Sequence, residues 1–170
     1  MMADRLTRPS ILTPPAVSLV TISILMRALV QRVVRAEVRV DGEVVGSIGR
    51  GLCVLVGVTH TDTVAEAKKL AANLWNLRII EDDGGVPNLS IAQTTKELLI
   101  VSQFTLYGDT GGGRRPSWTA AARPEQAEPL IVSVVDELRT LGATIQTGRF
   151  RTEMAVELIN DGPFTVIVDV

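Results

Sequence analysis

The sequence predicts an α+β domain in which mainly antiparallel β-sheets form a barrel-like or sandwich-like core beside two main helices. Two observations support this fold class. Short apolar and β-branched runs separated by turn residues fill most of the chain, whereas only two stretches repeat apolar residues at helical spacing. The 170 residues are 46% hydrophobic and 21% charged, which is typical of one globular domain with its own core.

The first strands are predicted around a hairpin. Val38 and Val40 alternate with charged neighbours, and Asp41 and Gly42 form a strong turn signal. The returning run leads into GLCVLVGV, residues 51–58, which is apolar on both faces and therefore predicts a buried strand. Together these runs predict a β-meander.

Two helices are predicted further along the chain. Thr63 and Glu66 have the spacing of a capping box, and apolar residues then recur on one face, which predicts a helix over residues 63–77. Pro124 suits the first turn of a second helix, and Gly142 suits its C-terminal end. The apolar face of this second helix consists of Leu130, Val134, Leu138 and Leu141.

Strands are also predicted between the two helices. A short strand is expected around residues 77–80, and a longer one over ELLIVSQFTLY, residues 97–107. One face of the longer strand carries Gln103 and Thr105 beside Val101, where a core strand would carry apolar residues. That face is therefore either solvated or part of a pocket.

The C-terminal segment reads ELINDGPFTVIVDV and contains two strand-like runs. Residues 157–159 and 164–170 are joined by four turn-forming residues, Asn160 to Pro163, and the simplest interpretation is a hairpin. However, Asn-Gly or Asp-Gly would serve a tight hairpin better than Gly-Pro, and proline removes a hydrogen-bond donor from the returning strand. The alternative is that Gly162 and Pro163 contact a ligand or a partner.

The domain is predicted to occupy residues 26–170. Residues 1–25 contain three prolines and little charge, and we expect them to be an N-terminal extension that is disordered or foreign to the domain. A signal peptide is disfavoured because Pro14 and Pro15 precede the short apolar stretch and no small-residue cleavage site follows it. No apolar run reaches the ~18 residues of a membrane span, so no membrane partner is expected.

The residue inventory argues against a cofactor. With one cysteine and one histidine, the chain has no ordinary set of zinc ligands, and neither a metal nor another cofactor is expected. Cys53 lies in an apolar run and is predicted to be a buried thiol, which indicates a reducing, cytoplasmic location. His60 is predicted to be an exposed loop residue rather than a catalytic base. The glycine-rich loop, residues 108–118, lacks the Lys-Ser or Lys-Thr of a phosphate-binding loop.

Six motifs in order carry a resemblance to a known family. They are MRALVQRV, DGEVVGSIGRGLCVLVGV, PNLS, VSQFTLYGD, GRRPSW and NDGPFT, and with them residues 26–170 resemble a bacterial D-aminoacyl-tRNA deacylase. The resemblance implies hydrolysis of the ester that joins a D-amino acid to the terminal ribose of tRNA. It also implies a homodimer with active sites at the subunit interface and tRNA as the partner, although the net charge of −2 argues against bulk electrostatic binding of nucleic acid.

The resemblance places the catalytic residues in SQFT, namely Ser102, Gln103, Phe104 and Thr105. Backbone N–H groups around Gln103 and Phe104 are implied to stabilise the oxyanion of the tetrahedral intermediate. Thr105 has no histidine in its own motif or in NDGPFT to activate it as a nucleophile. We therefore expect the neighbouring ribose hydroxyl to assist the reaction while Thr105 lines the pocket.

The resemblance also places substrate recognition in NDGPFT. It implies that the Gly162-Pro163 peptide is cis and enters the partner subunit's active site, where its carbonyl groups meet the substrate. An L-residue would drive its side chain into this turn and be rejected, whereas glycine would partly escape. Other implied contacts are Asn160, Thr165 and Phe150 for the aminoacyl-adenosine end, and Arg114 and Arg115, with Arg149 and Arg151, for tRNA phosphates.

Two other functions remain open from the sequence. A non-catalytic, dimeric tRNA-binding module of the same fold would bind without hydrolysis, and a general serine or threonine esterase would cleave small esters that lack ribose. The chain also departs from the usual family pattern, since TGGGRRP has glycines where many relatives have basic residues. Gly108 and Trp118 replace the commoner Ala and Phe, and Phe164 replaces a smaller Val, a change expected to affect dimer packing more than chemistry.

Overall fold

The computed structural model describes residues 26–170, so the predicted N-terminal extension lies outside the described residues. The described chain contains two α-helices and eight strands. The helices are α1 (Val64–Asn76) and α2 (Pro124–Thr140). The strands are β1 (Arg27–Val40), β2 (Glu43–Ile48), β3 (Gly51–Gly57), β4 (Arg78–Glu81), β5 (Pro87–Ser90), β6 (Glu97–Ser102), β7 (Thr144–Thr147) and β8 (Ala155–Asp169).

Strands β1, β2 and β3 form one long hairpin, and the predicted β-meander is wrong. Both β2 and β3 pair antiparallel with β1. The register is continuous from β2 to β3, because Ala36 lies opposite Ile48 and, three residues earlier on β1, Val33 lies opposite Gly51. Strand β1 has 14 residues, which is long enough for β2 and β3 to share one of its edges. The turn lies at Asp41 and Gly42 as predicted, and both have positive φ angles, 52° and 84°.

Strand β8 occupies the other edge of β1, so the simplest interpretation of the C-terminal segment, a hairpin, is wrong. It pairs antiparallel with β1 from Arg27 opposite Asp169 to Arg39 opposite Ala155. Thr165 pairs with Gln31, and Asn160 pairs with Val33. The four residues 161–164 therefore lie opposite a single residue of β1. The Gly-Pro segment therefore forms a wide bulge in a continuous strand, because both flanking runs find the same partner strand.

The large sheet curls into a nearly closed barrel, which agrees with the predicted fold class. Strands β6 and β7 extend it by parallel pairing, β6 on β3 and β7 on β6. Strand β2 then approaches β7 so closely that a Cβ at Gly46 would lie 2.7 Å from the carbonyl oxygen of Thr147. Strands β4 and β5 form a separate two-stranded sheet.

Both predicted helices are confirmed and cover one face of the barrel sheet. Thr63 caps α1: its hydroxyl accepts from the Ala65 N–H at 3.2 Å, and the Glu66 carboxylate accepts from the Thr63 N–H at 2.8 Å. Pro124 begins α2, and Gly142 follows its end with φ 103°. Between α1, α2 and the sheet lies the main core, which includes Val30, Val54, Leu70, Leu74, Leu98, Val134 and Leu138.

A second, smaller core lies elsewhere on the sheet and contains Cys53. The thiol is buried as predicted, and this burial raises its pKa to about 11, so Cys53 is a core residue and not a nucleophile. Within residues 26–170, no helix is both long and apolar enough to cross a membrane.

Candidate active site

The SQFT segment leaves the sheet where the sequence predicted a continuing strand. Strand β6 ends at Ser102, and Phe104–Tyr107 form a short 3-10 helix. This helix crosses the end of β3 at Gly57, where an added Cβ would lie 3.0 Å from the Tyr107 ring and 3.1 Å from the Leu106 Cβ. Because β3 itself ends at this glycine, the chain has no strand to follow further and turns into the helix.

The turn at Gln103 exposes two backbone donors. The Gln103 N–H donates to the Val56 carbonyl at 2.7 Å, so it is not available to a substrate. The next two N–H groups, of Phe104 and Thr105, start the 3-10 helix and make no hydrogen bond within residues 26–170. The expected donor pair, Gln103 and Phe104, is therefore displaced by one residue to Phe104 and Thr105.

A cavity of about 650 Å³ opens beside Phe104, the first of these two residues. Ser102, Gln103, Phe104 and Phe150 line it, so the structure brings these four predicted site residues together. Thr105 is not among the lining residues, although it was expected to line the pocket. The other walls come mainly from α2, its preceding loop and the segment before β8, and include Val56, Trp118, Ile131, Arg151, Met154 and Val156. This volume and largely apolar lining suit a small organic ligand held by a few polar groups.

The geometry around Thr105 gives no sign of an activated nucleophile. Its hydroxyl accepts a hydrogen bond from the side-chain Nε2 of Gln103, which is a neutral amide and not a base. His60 does not line the cavity, and its Nε2 lies 2.8 Å from the Thr119 carbonyl oxygen. Within residues 26–170, no group of three or more His, Cys, Asp or Glu side chains is arranged to hold a metal ion.

The bulge in β8 forms a second cluster of predicted site residues. The Gly162-Pro163 peptide bond is cis, as the resemblance implies, and both residues are exposed. Beside them, Gln31 Nε2 donates to Asn160 Oδ1 at 3.2 Å and to Thr165 Oγ1 at 3.3 Å. None of the four predicted residues of β8 lines the cavity, so a single chain does not bring this cluster and the cavity together.

The side chain of Arg32 holds the bulge from the buried face of β1, and the sequence did not identify this residue. It is 7% exposed and lies opposite the bulge on β1. Its Nε donates to the Asp161 carbonyl at 3.0 Å, its Nη2 to the Gly162 carbonyl at 3.1 Å, and its Nη1 to the Ile79 carbonyl at 2.9 Å. The available signal was its position, because it continues the alternation of buried Ala28 and Val30 on the core face of the strand.

The predicted tRNA-binding arginines lie in two places. Arg114 and Arg115 are exposed near the tip of a loop whose base is closed by pairing of Asp109 with Ser117. Arg149 is exposed beside Phe150, and Arg151 lines the cavity. Of these four arginines, only Arg151 lines the cavity, and Arg114 and Arg115 lie in a separate loop.

Gly108 and Trp118, two departures from the usual family pattern, are in contact. The indole of Trp118 packs so closely on Gly108 that an added Cβ at position 108 would overlap the ring. The same indole meets the ring of Phe104 edge to face, with ring centroids 5.6 Å apart. Gly108 therefore gives Trp118 room to pack against the helix that carries the two free N–H groups.

We expect Gly108→Ala to lower the free energy of unfolding by about 2 kcal/mol, since the new methyl group meets an aromatic wall. Adding Trp118→Phe should return the value to within about 0.5 kcal/mol of the wild type, because the shorter ring clears the overlap. Urea unfolding of the wild type, both single variants and the double variant measures the coupling. A double variant as unstable as Gly108→Ala alone would show that the indole is not the obstacle.

Comparison with known proteins identifies the family. A profile of the family described as D-Tyr-tRNA(Tyr) deacylase matches residues 29–169. Relatives named D-aminoacyl-tRNA deacylase from Streptomyces coelicolor and Thermobifida fusca are each 58% identical over 146 residues, covering 85% of this chain and 100% of each relative. A solved structure named c-Myc DNA unwinding element binding protein has a TM-score of 0.80 and 39% identity, covering 85% of this chain and 98% of that one. The chain belongs to the D-Tyr-tRNA(Tyr) deacylase family.

Proposed function

We propose that this protein hydrolyses the ester bond of D-aminoacyl-tRNA and releases the free D-amino acid and tRNA. The observation that carries the proposal is the pair of consecutive unpartnered N–H groups of Phe104 and Thr105, of which Phe104 lines a cavity of about 650 Å³. The names of the relatives from S. coelicolor and T. fusca support the substrate class.

The chemistry needs little beyond these two donors. Water adds to the ester carbonyl carbon, and the carbonyl oxygen becomes an oxyanion that accepts from the Phe104 and Thr105 N–H groups. The bond to the ribose oxygen then breaks, and that oxygen takes up a proton while the amino acid leaves as a carboxylate. With no base beside Thr105, the adjacent ribose hydroxyl of the tRNA is the group placed to orient the water and relay its proton.

The tRNA 3′ end supplies a ligand of the right size for the cavity. The terminal adenine fits the apolar part, where Phe150 and Trp118 provide aromatic surface for stacking. Arg151 at the cavity and the exposed Arg114 and Arg115 then reach the phosphates that follow. Recognition by these residues is independent of the attached amino acid.

We infer that the active form is a homodimer in which the bulge of one subunit enters the cavity region of the other. Within one chain the bulge and the cavity are separate, although both carry residues of the same implied site. The bulge lies on an edge strand, since β8 pairs only with β1 among the described strands. Two large apolar side chains on β8 flank it and are exposed, Ile159 by 46% and Ile167 by 61%.

In this arrangement the bulge reads the chirality of the substrate. Arg32 holds the Asp161 and Gly162 carbonyls and so fixes the turn whose Gly162 and Pro163 carbonyls meet the α-amino group of the aminoacyl end. A D-residue directs its side chain away from the backbone, whereas an L-residue directs its side chain into it and is excluded. Glycine has no side chain to exclude, so glycyl-tRNA is hydrolysed in part.

Deacylation of D-Tyr-, L-Tyr- and glycyl-tRNA by the purified protein tests the proposal. We expect fast release of D-Tyr, slower release of glycine and by far the slowest release of L-Tyr, at a rate measurable with excess enzyme. Binding of D-Tyr-tRNA without release would instead identify a non-catalytic tRNA-binding module. Cleavage of small esters lacking ribose, at rates comparable to D-Tyr-tRNA, would identify a general esterase.

Thr105→Ala should keep at least about a third of the wild-type single-turnover rate on D-Tyr-tRNA. The backbone N–H of residue 105 remains in place, and the lost hydroxyl only accepts from Gln103. Rapid-quench measurement with saturating enzyme gives the rate. A loss of more than about 100-fold in a folded variant, with an acyl-enzyme trapped in the wild type, would make Thr105 the nucleophile.

A further inference from the structure

Phe164 packs against the core of its own chain. It is the last residue of the bulge in β8, and its ring is half-buried against the main core. The centre of the ring lies 4.5 Å from the Cζ of Arg32, so the ring covers one face of the guanidinium group.

The edges of the same guanidinium group are divided between two parts of the fold. On one side, the β4 strand supplies the Ile79 carbonyl at 2.9 Å from Nη1 and the Glu81 carboxylate at 3.3 Å from Nη2. On the other side, the bulge supplies the carbonyls of Asp161 and Gly162 and also the Asp161 carboxylate, whose Oδ2 lies 3.3 Å from Nε. Nη2 is therefore shared between a carboxylate and the Gly162 carbonyl.

The Glu81 carboxylate and the Gly162 carbonyl compete for Nη2 of Arg32, and the ring of Phe164 can determine which of them Nη2 contacts. At Nη2, the charge-assisted bond to the Glu81 carboxylate is stronger than the bond to the Gly162 carbonyl. An unrestrained Arg32 would therefore move Nη2 toward Glu81 while its Nε stays paired with the Asp161 carboxylate. Stacking on an aromatic face restricts the plane of the guanidinium group, which limits this rotation. Glu81 is half exposed and can follow the arginine, whereas the Gly162 carbonyl cannot.

We propose that Phe164 is a positioning residue that keeps Arg32 on the Gly162 carbonyl and so sets the selectivity for D- over L-aminoacyl-tRNA. The inference rests on the proposed function, because it assigns a further residue to the same recognition element. An aliphatic side chain at position 164 fills space but does not stack on the guanidinium group. The aromatic ring, rather than apolar volume alone, is what this position requires.

The test compares Phe164→Leu with the conservative Phe164→Tyr. The ratio of kcat/KM for D-Tyr-tRNA to that for L-Tyr-tRNA should fall at least 10-fold in Phe164→Leu and stay within about twofold of wild type in Phe164→Tyr. Adding Glu81→Gln to Phe164→Leu should recover at least half of the lost ratio on a logarithmic scale, because the competing charge is removed. Glu157→Gln, which breaks the exposed Arg35–Glu157 pair on the same two strands, is the matched control and should leave the ratio unchanged.

A second readout is independent of activity. The NMR signal of the Arg32 Nε–H should carry a ring-current shift that Phe164→Tyr keeps and Phe164→Leu removes, with faster exchange of that proton in Phe164→Leu. If the wild type is active and both Phe164→Leu and Phe164→Tyr keep its selectivity, this inference is wrong and the proposed function stands. A wild type that releases neither amino acid would overturn the proposed function, and this inference with it.

Discussion

Gly162→Ala is expected to reduce hydrolysis of D-Tyr-tRNA by at least about 100-fold while the melting temperature stays within about 2 °C of wild type. Inside the chain the new methyl group has room, since its nearest neighbour would be the Asn160 side-chain amide at 3.5 Å. The φ angle of Gly162 lies outside the left-handed region, so alanine fits the backbone as well. Any large loss of activity therefore reports what this residue meets outside its own subunit.

Single-turnover deacylation and thermal unfolding of the same preparation give the two numbers. A 100-fold loss corresponds to about 2.7 kcal/mol of transition-state stabilisation. Gly112→Ala is the matched control, because a Cβ there meets nothing within 4 Å and the residue lies outside the bulge. If Gly162→Ala hydrolyses D-Tyr-tRNA as fast as this control, the bulge does not meet the substrate.

Arg32→Met is expected to lower the free energy of unfolding by about 3 kcal/mol, or the melting temperature by about 10 °C. Methionine keeps the apolar stem but removes every donor, so the carbonyls of Ile79, Asp161 and Gly162 lose their partner. Hydrolysis of D-Tyr-tRNA should fall as well, because the bulge loses the group that fixes it.

The matched control is Arg35→Met, three residues further along the same strand. Arg35 is exposed and pairs with Glu157 at 2.7 Å, and such surface pairs contribute at most about 1 kcal/mol. Guanidinium chloride unfolding of both variants measures the difference between them. Equal losses would contradict a structural role for the contacts beneath the bulge.

The sequence predicted best those features that depend on neighbouring residues. The capping box of Thr63 and Glu66 and the turn at Asp41 and Gly42 are local devices, and both are found where they were expected. Ser102, Gln103, Phe104 and Phe150 were named together from the family resemblance, and all four line the cavity. Their roles in catalysis and binding stay predictions.

The errors concern partners that are distant in sequence. Two strand-like runs around Asn160 to Pro163 fit a reversal or a bulge equally well, and only the length of β1 decides between them. Likewise, ELLIVSQFTLY has strand propensity throughout, but its partner β3 ends at Gly57 and the chain turns after Ser102. Arg32 was overlooked because its partners are mostly backbone carbonyls, which no residue pattern reveals.

The pairing of β1 with β8 has a consequence for the order in which the protein is made. The side chains of Arg27 and Asp169 form a hydrogen bond of 2.7 Å although they are 142 residues apart. One edge of β1 therefore stays unpaired until nearly the entire chain has been translated. Contacts of this span slow folding, because a long loop must close before they stabilise anything. A nascent chain therefore contains the amide pair at Phe104 and Thr105 well before the bulge of β8 can pair with β1.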